Sequence, residues 1–249
     1  MPPDVFDALA AQHAELDGIL GSLDDEQWSI PAPRCPGWTV ADVVLHLAQS
    51  DEMGIASATG EFENLAALFT GSNVDEGAAG AVESQRGVSP SELLARWRAA
   101  SSGVRDTLAA ADPKVRLPWV TNTLAPATLA TTRLAEAWIH TGDVADAVGI
   151  ALPEPADRLR HIAWLAWRTL PYAFERDGKQ LSGPVAVTLT MPDGPPLEFG
   201  DPASVTSSVT GPLEDWCSVA ARRVEPSATQ LRAEGPDADD VLALVRTYA

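Results

Sequence analysis

The chain has 249 residues, 45% of them apolar and 21% charged, enough for a real core in one large or two small domains. Its 17 basic and 35 acidic side chains give a net charge of −18, which argues against nucleic acid and against an anionic membrane surface as partners. The acidity reads as a solvated face that keeps the chain soluble.

The opening Met1-Pro2-Pro3-Asp4-Val5-Phe6-Asp7 lacks the basic and apolar regions of a signal peptide. No window approaches the ~18 consecutive apolar residues of a membrane span. Cys35 and Cys217 form no Cys-x-x-Cys pair and are expected as packing residues, so a cytoplasmic location is expected.

Residues 4–23 carry Val5, Phe6, Leu9, Leu16, Ile19, Leu20 and Leu23 at helical spacing. A turn is expected over Pro31 to Trp38, after which Thr39 is a natural N-cap with Asp42 at N3. The second helix is expected from Val40 to Ser57, with Val40, Val43, Val44 and Leu47 buried. Residues 71–89, rich in Gly, Ser and Ala, are expected as a mobile loop. Ser89-Pro90-Ser91-Glu92 starts a third helix continued by Leu93, Leu94, Trp97, Val104 and Leu108. An irregular stretch from Pro113 to Pro126 contains Trp119, and a fourth helix is expected from Ala127 to Val148, stopped by Gly149. Four helices joined by loops suggest a bundle.

The pattern then changes. Residues 156–175 read as a helix, Val185 to Met191 alternates like a strand, and Leu197 to Phe199 returns across the Pro192-Asp193-Gly194 turn. Strands over Val205–Thr210 and Thr229–Ala233 and helices over Leu213–Arg223 and Ala238–Tyr248 complete an α+β pattern. Two domains are expected, 1–150 and 151–249, with the boundary falling between about residue 150 and residue 180.

Of four histidines, His46 lies near the apolar face of the second helix, and His140 follows Glu136 by one turn on the fourth. An i, i+4 pair shares a helix face, and a third ligand from a facing helix makes a two-His, one-carboxylate set with open coordination positions. Spacing alone leaves both the metal and the packing reading open. Asp146 reads as a solvated residue, whereas Asp143 is either solvated or orients a ligand. Trp38, Trp119 and Trp138 suit either an aromatic substrate wall or the core. Arg222 and Arg223 either complement a helix C-terminus or clamp a substrate carboxylate. His13 and His161 are expected to be structural, and Cys35 has only Arg34 as a basic neighbour to activate it.

The run Pro36-Gly37-Trp38-Thr39-Val40 leading to His46, with Glu136-Ala137-Trp138-Ile139-His140 downstream, resembles the mycothiol-dependent maleylpyruvate isomerase N-terminal domain. That domain belongs to the DinB-like metal-dependent superfamily. An uncharacterised actinobacterial metal-binding subfamily is more similar still, through Asp157-Arg158-Leu159-Arg160-His161, the Pro192-Asp193-Gly194 turn and Val219-Ala220-Ala221-Arg222-Arg223. The resemblance implies a DinB-like four-helix bundle followed by a small α/β, sterol-carrier-like domain. It carries the metal ligands onto His46, Glu136 and His140, and implies a divalent metal, Zn²⁺ above others, with mycothiol as a thiol cofactor. Thr141-Gly142 departs from the family pattern, and no arginine here is matched to the isomerase's substrate-binding arginines. The function expected is a metal-dependent, thiol-dependent transferase or isomerase of a small electrophilic substrate. Two other readings stand beside it: a metal enzyme of specialised metabolism needing no thiol, and a non-catalytic metal-containing ligand-binding protein.

Overall fold

In the computed structural model, which describes residues 4–67, 69, 71, 73–120, 122–152, 156–201 and 204–247, each long helix of the first half starts at a local signal. Asp4 accepts from the Phe6 amide and starts α1 (Val5–Leu20), whose buried face holds Leu9, Leu16 and Leu20. Thr39 and Asp42 form a reciprocal capping box at the head of α2 (Val40–Thr59); such caps contribute about 1 kcal/mol. Arg86 also donates to Asp42, Nε to Oδ1 at 2.9 Å, tying the start of α2 to a distant segment. The chain leaves α2 through Gly60, at φ +85, a left-handed conformation that costs glycine least.

The expected loop over 71–89 is a correction. Short α3 (Phe62–Ala66) is followed by α4 (Val74–Ser84), capped by Asn73 accepting from the Glu76 amide. The Ala-rich run is a good helix former, and burying Ala81 and Val82 decides the matter. Gln49 donates to the Ala81 carbonyl at 2.9 Å and holds α4 against α2. Ser72, inside that expected loop, lies outside the described residues.

A second capping box, Ser89 with Glu92, opens α5 (Pro90–Ala110). The stretch expected to be irregular then forms an antiparallel hairpin of β1 (Leu117–Trp119) and β2 (Asn122–Leu124). It leads into α6 (Pro126–Val148), which ends at left-handed Gly149. The four long helices α1, α2, α5 and α6 pack on one another, α2 mainly on α5 and α6, and α1 mainly on α6 and α5. Their shared core includes Leu16, Leu20, Val43, Val44, Leu47 and Trp97.

The chain divides into two compact units, 3–153 and 154–248. In the second, the single helix expected over 156–175 is broken into α7 (Ala156–Arg168) and α8 (Leu170–Arg176). Pro171 has no N–H to return to the preceding turn, and the Thr169 hydroxyl instead donates to the carbonyls of Leu165 and Arg246, both at 2.8 Å. A four-stranded sheet has the order β4-β3-β5-β6. Its strands are β3 (Val185–Thr190), β4 (Leu197–Phe199), β5 (Ser207–Pro212) and β6 (Arg232–Glu234), with β3 and β5 parallel and the outer pairs antiparallel.

Trp167 donates to the Val185 carbonyl and stacks on Phe199, 5.7 Å between centroids, so α7 lies on this sheet. After α9 (Leu213–Ala220) the chain closes a Schellman turn, the Arg223 amide donating to the Ser218 carbonyl. Arg222 takes the left-handed position at φ +58, which ends the helix short of the expected Arg223. The strand expected over 229–233 begins instead at Arg232, and the last helix, α10, spans Ala238–Leu244. Tyr248, the expected end of that helix, lies outside the described residues. Among the described residues no helix is long and apolar enough to cross a membrane.

Two helical glycines give opposite tests of the packing. A Cβ on Gly54 of α2 would stand 2.7 Å from Val104 Cγ2, a stiff and fully buried group, whereas one on Gly142 of α6 meets nothing within 4 Å. Alanine is the better helix former by about 0.8–1 kcal/mol. G142A is therefore expected to raise the denaturation midpoint and G54A to lower it. Equal shifts of one sign would refute this packing.

Candidate metal centre

α2 and α6 run antiparallel, so the middle of one faces the middle of the other. There His46 Nε2 lies 3.3 Å from Glu136 Oε2, and His140 Nε2 lies 3.6 Å from the same oxygen. The two imidazoles are edge to face with centroids 5.1 Å apart. All three donor atoms fall within 4.8 Å of one another. Their side chains are 13%, 19% and 10% exposed, in the order His46, Glu136, His140, so the group is sheltered and not sealed.

Burial lowers the pKa of His46, against the raising effect of its hydrogen bond to Glu136. Burial would raise Glu136, but the His46 hydrogen bond, the charge of Arg133 and the two adjacent histidines outweigh it and hold the carboxyl down to about 2. The group is thus two imidazoles and one carboxylate. Ligands about 2.0–2.1 Å from a tetrahedral zinc stand roughly 3.3 Å apart, whereas a charge-assisted hydrogen bond closes to about 2.7–2.9 Å. The 3.6 Å pair is nearer the first spacing than a hydrogen bond, and the 3.3 Å pair suits either.

Asp143, one turn beyond His140, accepts from His140 Nδ1 at 2.9 Å. A carboxylate only accepts, so Nδ1 is the donor in this pair, and Nε2 is the ring nitrogen nearer Glu136. Asp143 Oδ2 also accepts from the Cys35 thiol at 3.2 Å. Cys35, His140 and Asp143 form a second close group of donor types. Its separations of 2.9 and 3.2 Å are those of a hydrogen-bond chain. Among the described residues His46 has no such support, its buried Nδ1 lacking a partner, but Trp38 packs on the ring with centroids 5.2 Å apart.

The other sequence candidates scatter. Trp119 lies under Arg133 and against Phe62, not on the histidines. Trp138 is half-buried and stands about 200° around α6 from Glu136, so the helix turns it away from the group. Arg222 belongs to the second unit, where its Nη1 donates to the Ala243 carbonyl at 2.7 Å, and Arg223 donates to Ala221. Asp146, expected to be solvated, pairs at the surface with Arg34 at 2.6 Å.

The sequence reading missed a buried polar array toward the hairpin end of the same helices. Asp51 lies five residues past His46 on α2 and Arg133 three before Glu136 on α6. Asp51 Oδ1 is 3.7 Å from Arg133 Nε, and its Oδ2 is 3.7 Å from His13 Nε2. A cation set between Thr132 and Leu134 on an apolar helix was the available signal. Burial, aided by the charges of Arg133 and Arg105, pushes His13 down to about 3. Burial pushes Asp51 up to about 7 against the pull of Arg133, with Glu136 and Glu52 adding to the rise.

The two groups act oppositely on stability. With its folded pKa depressed, His13 contributes stability that is present above about 6.5 and is lost as pH falls toward about 3. With its folded pKa raised, Asp51 contributes stability that is present below 3.8 and is lost as pH rises through about 7. Their slopes oppose between pH 6.5 and 4. Removing one exposes the other: H13F should gain stability on going from pH 7 to pH 5 and D51N should lose it, each by ~1–2 kcal/mol in urea unfolding. Parallel pH profiles for the two variants would refute the assignment.

Residues 9–145 match the family described as the mycothiol maleylpyruvate isomerase N-terminal domain. Two uncharacterised proteins of Mycobacterium tuberculosis, from strains CDC 1551 / Oshkosh and ATCC 25618 / H37Rv, are each 34% identical over 246 residues, covering 97% of this chain and 93% of their own length. The fold is similar to a crystal structure of the mycothiol-dependent maleylpyruvate isomerase, with a TM-score of 0.60 at 16% identity. A histidine-to-alanine mutant of that enzyme gives 0.61 at 14%, and both comparisons cover 94% of each chain. Identity that low shows likeness of fold, but the family match spans more than half of the sequence. The chain belongs to the mycothiol maleylpyruvate isomerase N-terminal domain family.

Proposed function

We propose that this protein is a metal-dependent isomerase or transferase that uses a low-molecular-weight thiol, mycothiol, on a small electrophilic organic substrate. The first unit is read as a DinB-like four-helix bundle and the second as a sterol-carrier-like domain. The observation that carries the reading is the His46–Glu136–His140 group, spaced as zinc ligands, in a member of this family. Two imidazoles and one carboxylate leave a coordination position free, as catalytic zinc sites do. When bound there, a divalent cation supplies a Lewis acid that lowers the pKa of a coordinated thiol into the neutral range.

The chain's own residues perform the rest. Glu136 gives the site its negative charge, held ionised within the bundle. His140 presents Nε2 because Asp143 keeps the proton at Nδ1. Cys35, donating to the same oxygen, holds that carboxylate in place. Trp38 covers one side of His46 and limits water there.

Purified protein is expected to carry one equivalent of zinc, and H46A and E136Q to carry none while remaining folded. An H46A protein that retains its metal would overturn the ligand set. D143A should weaken metal binding about 10–100-fold, the usual cost of losing the partner that orients a ligand histidine. Turnover of electrophilic substrates should require added mycothiol. Equal turnover in thiol-free buffer would remove the thiol from the reading and leave a metal enzyme working on water or a carbonyl.

A further inference from the structure

Arg133 is 2% exposed, and among the described residues its buried Nε has no hydrogen-bond partner. Two carboxylates lie just beyond hydrogen-bond range. Asp51 Oδ1 is 3.7 Å from Nε, and Glu136 Oε2 is 3.9 Å from Nη2. That Glu136 oxygen is the one facing both His46 and His140. The guanidinium carbon lies over the Trp119 ring, 5.4 Å from its centroid, and the hairpin bearing Trp119 is fastened to α2 by Ser57 donating to the Pro118 carbonyl. Its stem crosses α2 at Gly54, where a Cβ would stand 3.7 Å from Arg133 Cδ.

We propose that Arg133, braced by Asp51 and by Trp119, is a positioning residue that holds the Glu136 carboxylate in the orientation meeting His46 and His140. The proposal rests on the reading that these three residues hold a divalent cation. A planar fork can face two carboxylates at once, and here Nε faces Asp51 while Nη2 faces Glu136. Rotation of Glu136 away from the histidines would strip the buried guanidinium of one of the two anions near it. The geometry therefore resists that rotation before any ion arrives.

The sign of the effect separates this role from its rivals. A guanidinium acting only as a charge repels a divalent cation, so its removal would tighten binding. A guanidinium acting as a positioner does the reverse. The experiment measures zinc affinity of the full chain, stripped with a chelator and titrated against a chromophoric competitor, for wild type, R133M, R133K, D51N and R96M. Arg96 pairs with Glu52 through Nε at 2.7 Å, away from the group, and serves as the control ion pair.

R133M is expected to weaken zinc about 10–100-fold, as loss of outer partners commonly does. R133K should recover only part of this, because a point charge cannot face both carboxylates, and D51N should weaken zinc by a smaller factor. R96M should leave it unchanged. The visible spectrum of the cobalt-loaded protein should shift in R133K at saturation, which a general loss of stability would not produce. Thermal melts of the metal-free proteins check folding, and R133K carries the test if R133M does not fold.

Unchanged or tighter zinc in R133M and R133K overturns the proposal while leaving the metal site standing. Unchanged zinc with a raised KM also overturns it and makes Arg133 a ligand contact. A wild type that binds no equivalent of zinc removes the metal reading itself, and this proposal with it.

Discussion

The first unit depends on keeping an ionised carboxylate, Glu136, between two imidazoles with little water. A carboxylate removed from water is costly unless partners replace the lost solvation. His46 donates from the facing helix, while Arg133 brings its charge from Glu136's own helix. These partners work only if α2 and α6 keep one register. A slip of one residue would turn His46 by about 100° around its helix and away from Glu136.

Much of the surrounding structure acts on that register. The Thr39–Asp42 capping box and the Arg86 contact to Asp42 define where α2 begins. The close approach of α2 and α5 at Gly54 and Val104 limits how α2 can slide. Around the group, polar residues are arranged along α6: Asp143 toward one end, with Cys35 from the Pro31–Trp38 turn, and Arg133 toward the other, with Asp51. The group is served from both sides by side chains that an apolar core would exclude. The second unit is organised on different terms, by a parallel β3–β5 pair and by the buried Trp216 between α9 and α7.

The helices α1, α2, α5 and α6 were legible because period and punctuation agreed: apolar stripes at helical spacing, Thr39 and Ser89 as caps, Gly149 as a stop. The strands at 185–190 and 197–199 were legible from alternation and the turn between them. Where local signals were weak, expectation failed. The 71–89 stretch looked like a loop because composition cannot show that Ala81 and Val82 have a surface to pack on. The break at Thr169 depends on what a hydroxyl reaches, the Arg246 carbonyl, 77 positions away.

By itself the sequence determined the helical register that puts Glu136 and His140 on one face, the mid-helix place of His46, and the family to which those motifs point. Tertiary structure decided which distant side chains meet them. Antiparallel packing of α2 on α6 brings His46 to Glu136 across 90 positions and Cys35 to Asp143 across 108. It also buries Arg133 against Asp51 and brings Trp38 onto His46. The physical reason is that spacing along one helix fixes direction within that helix only. Which charges lose their water, and which partners replace it, follows from packing between helices.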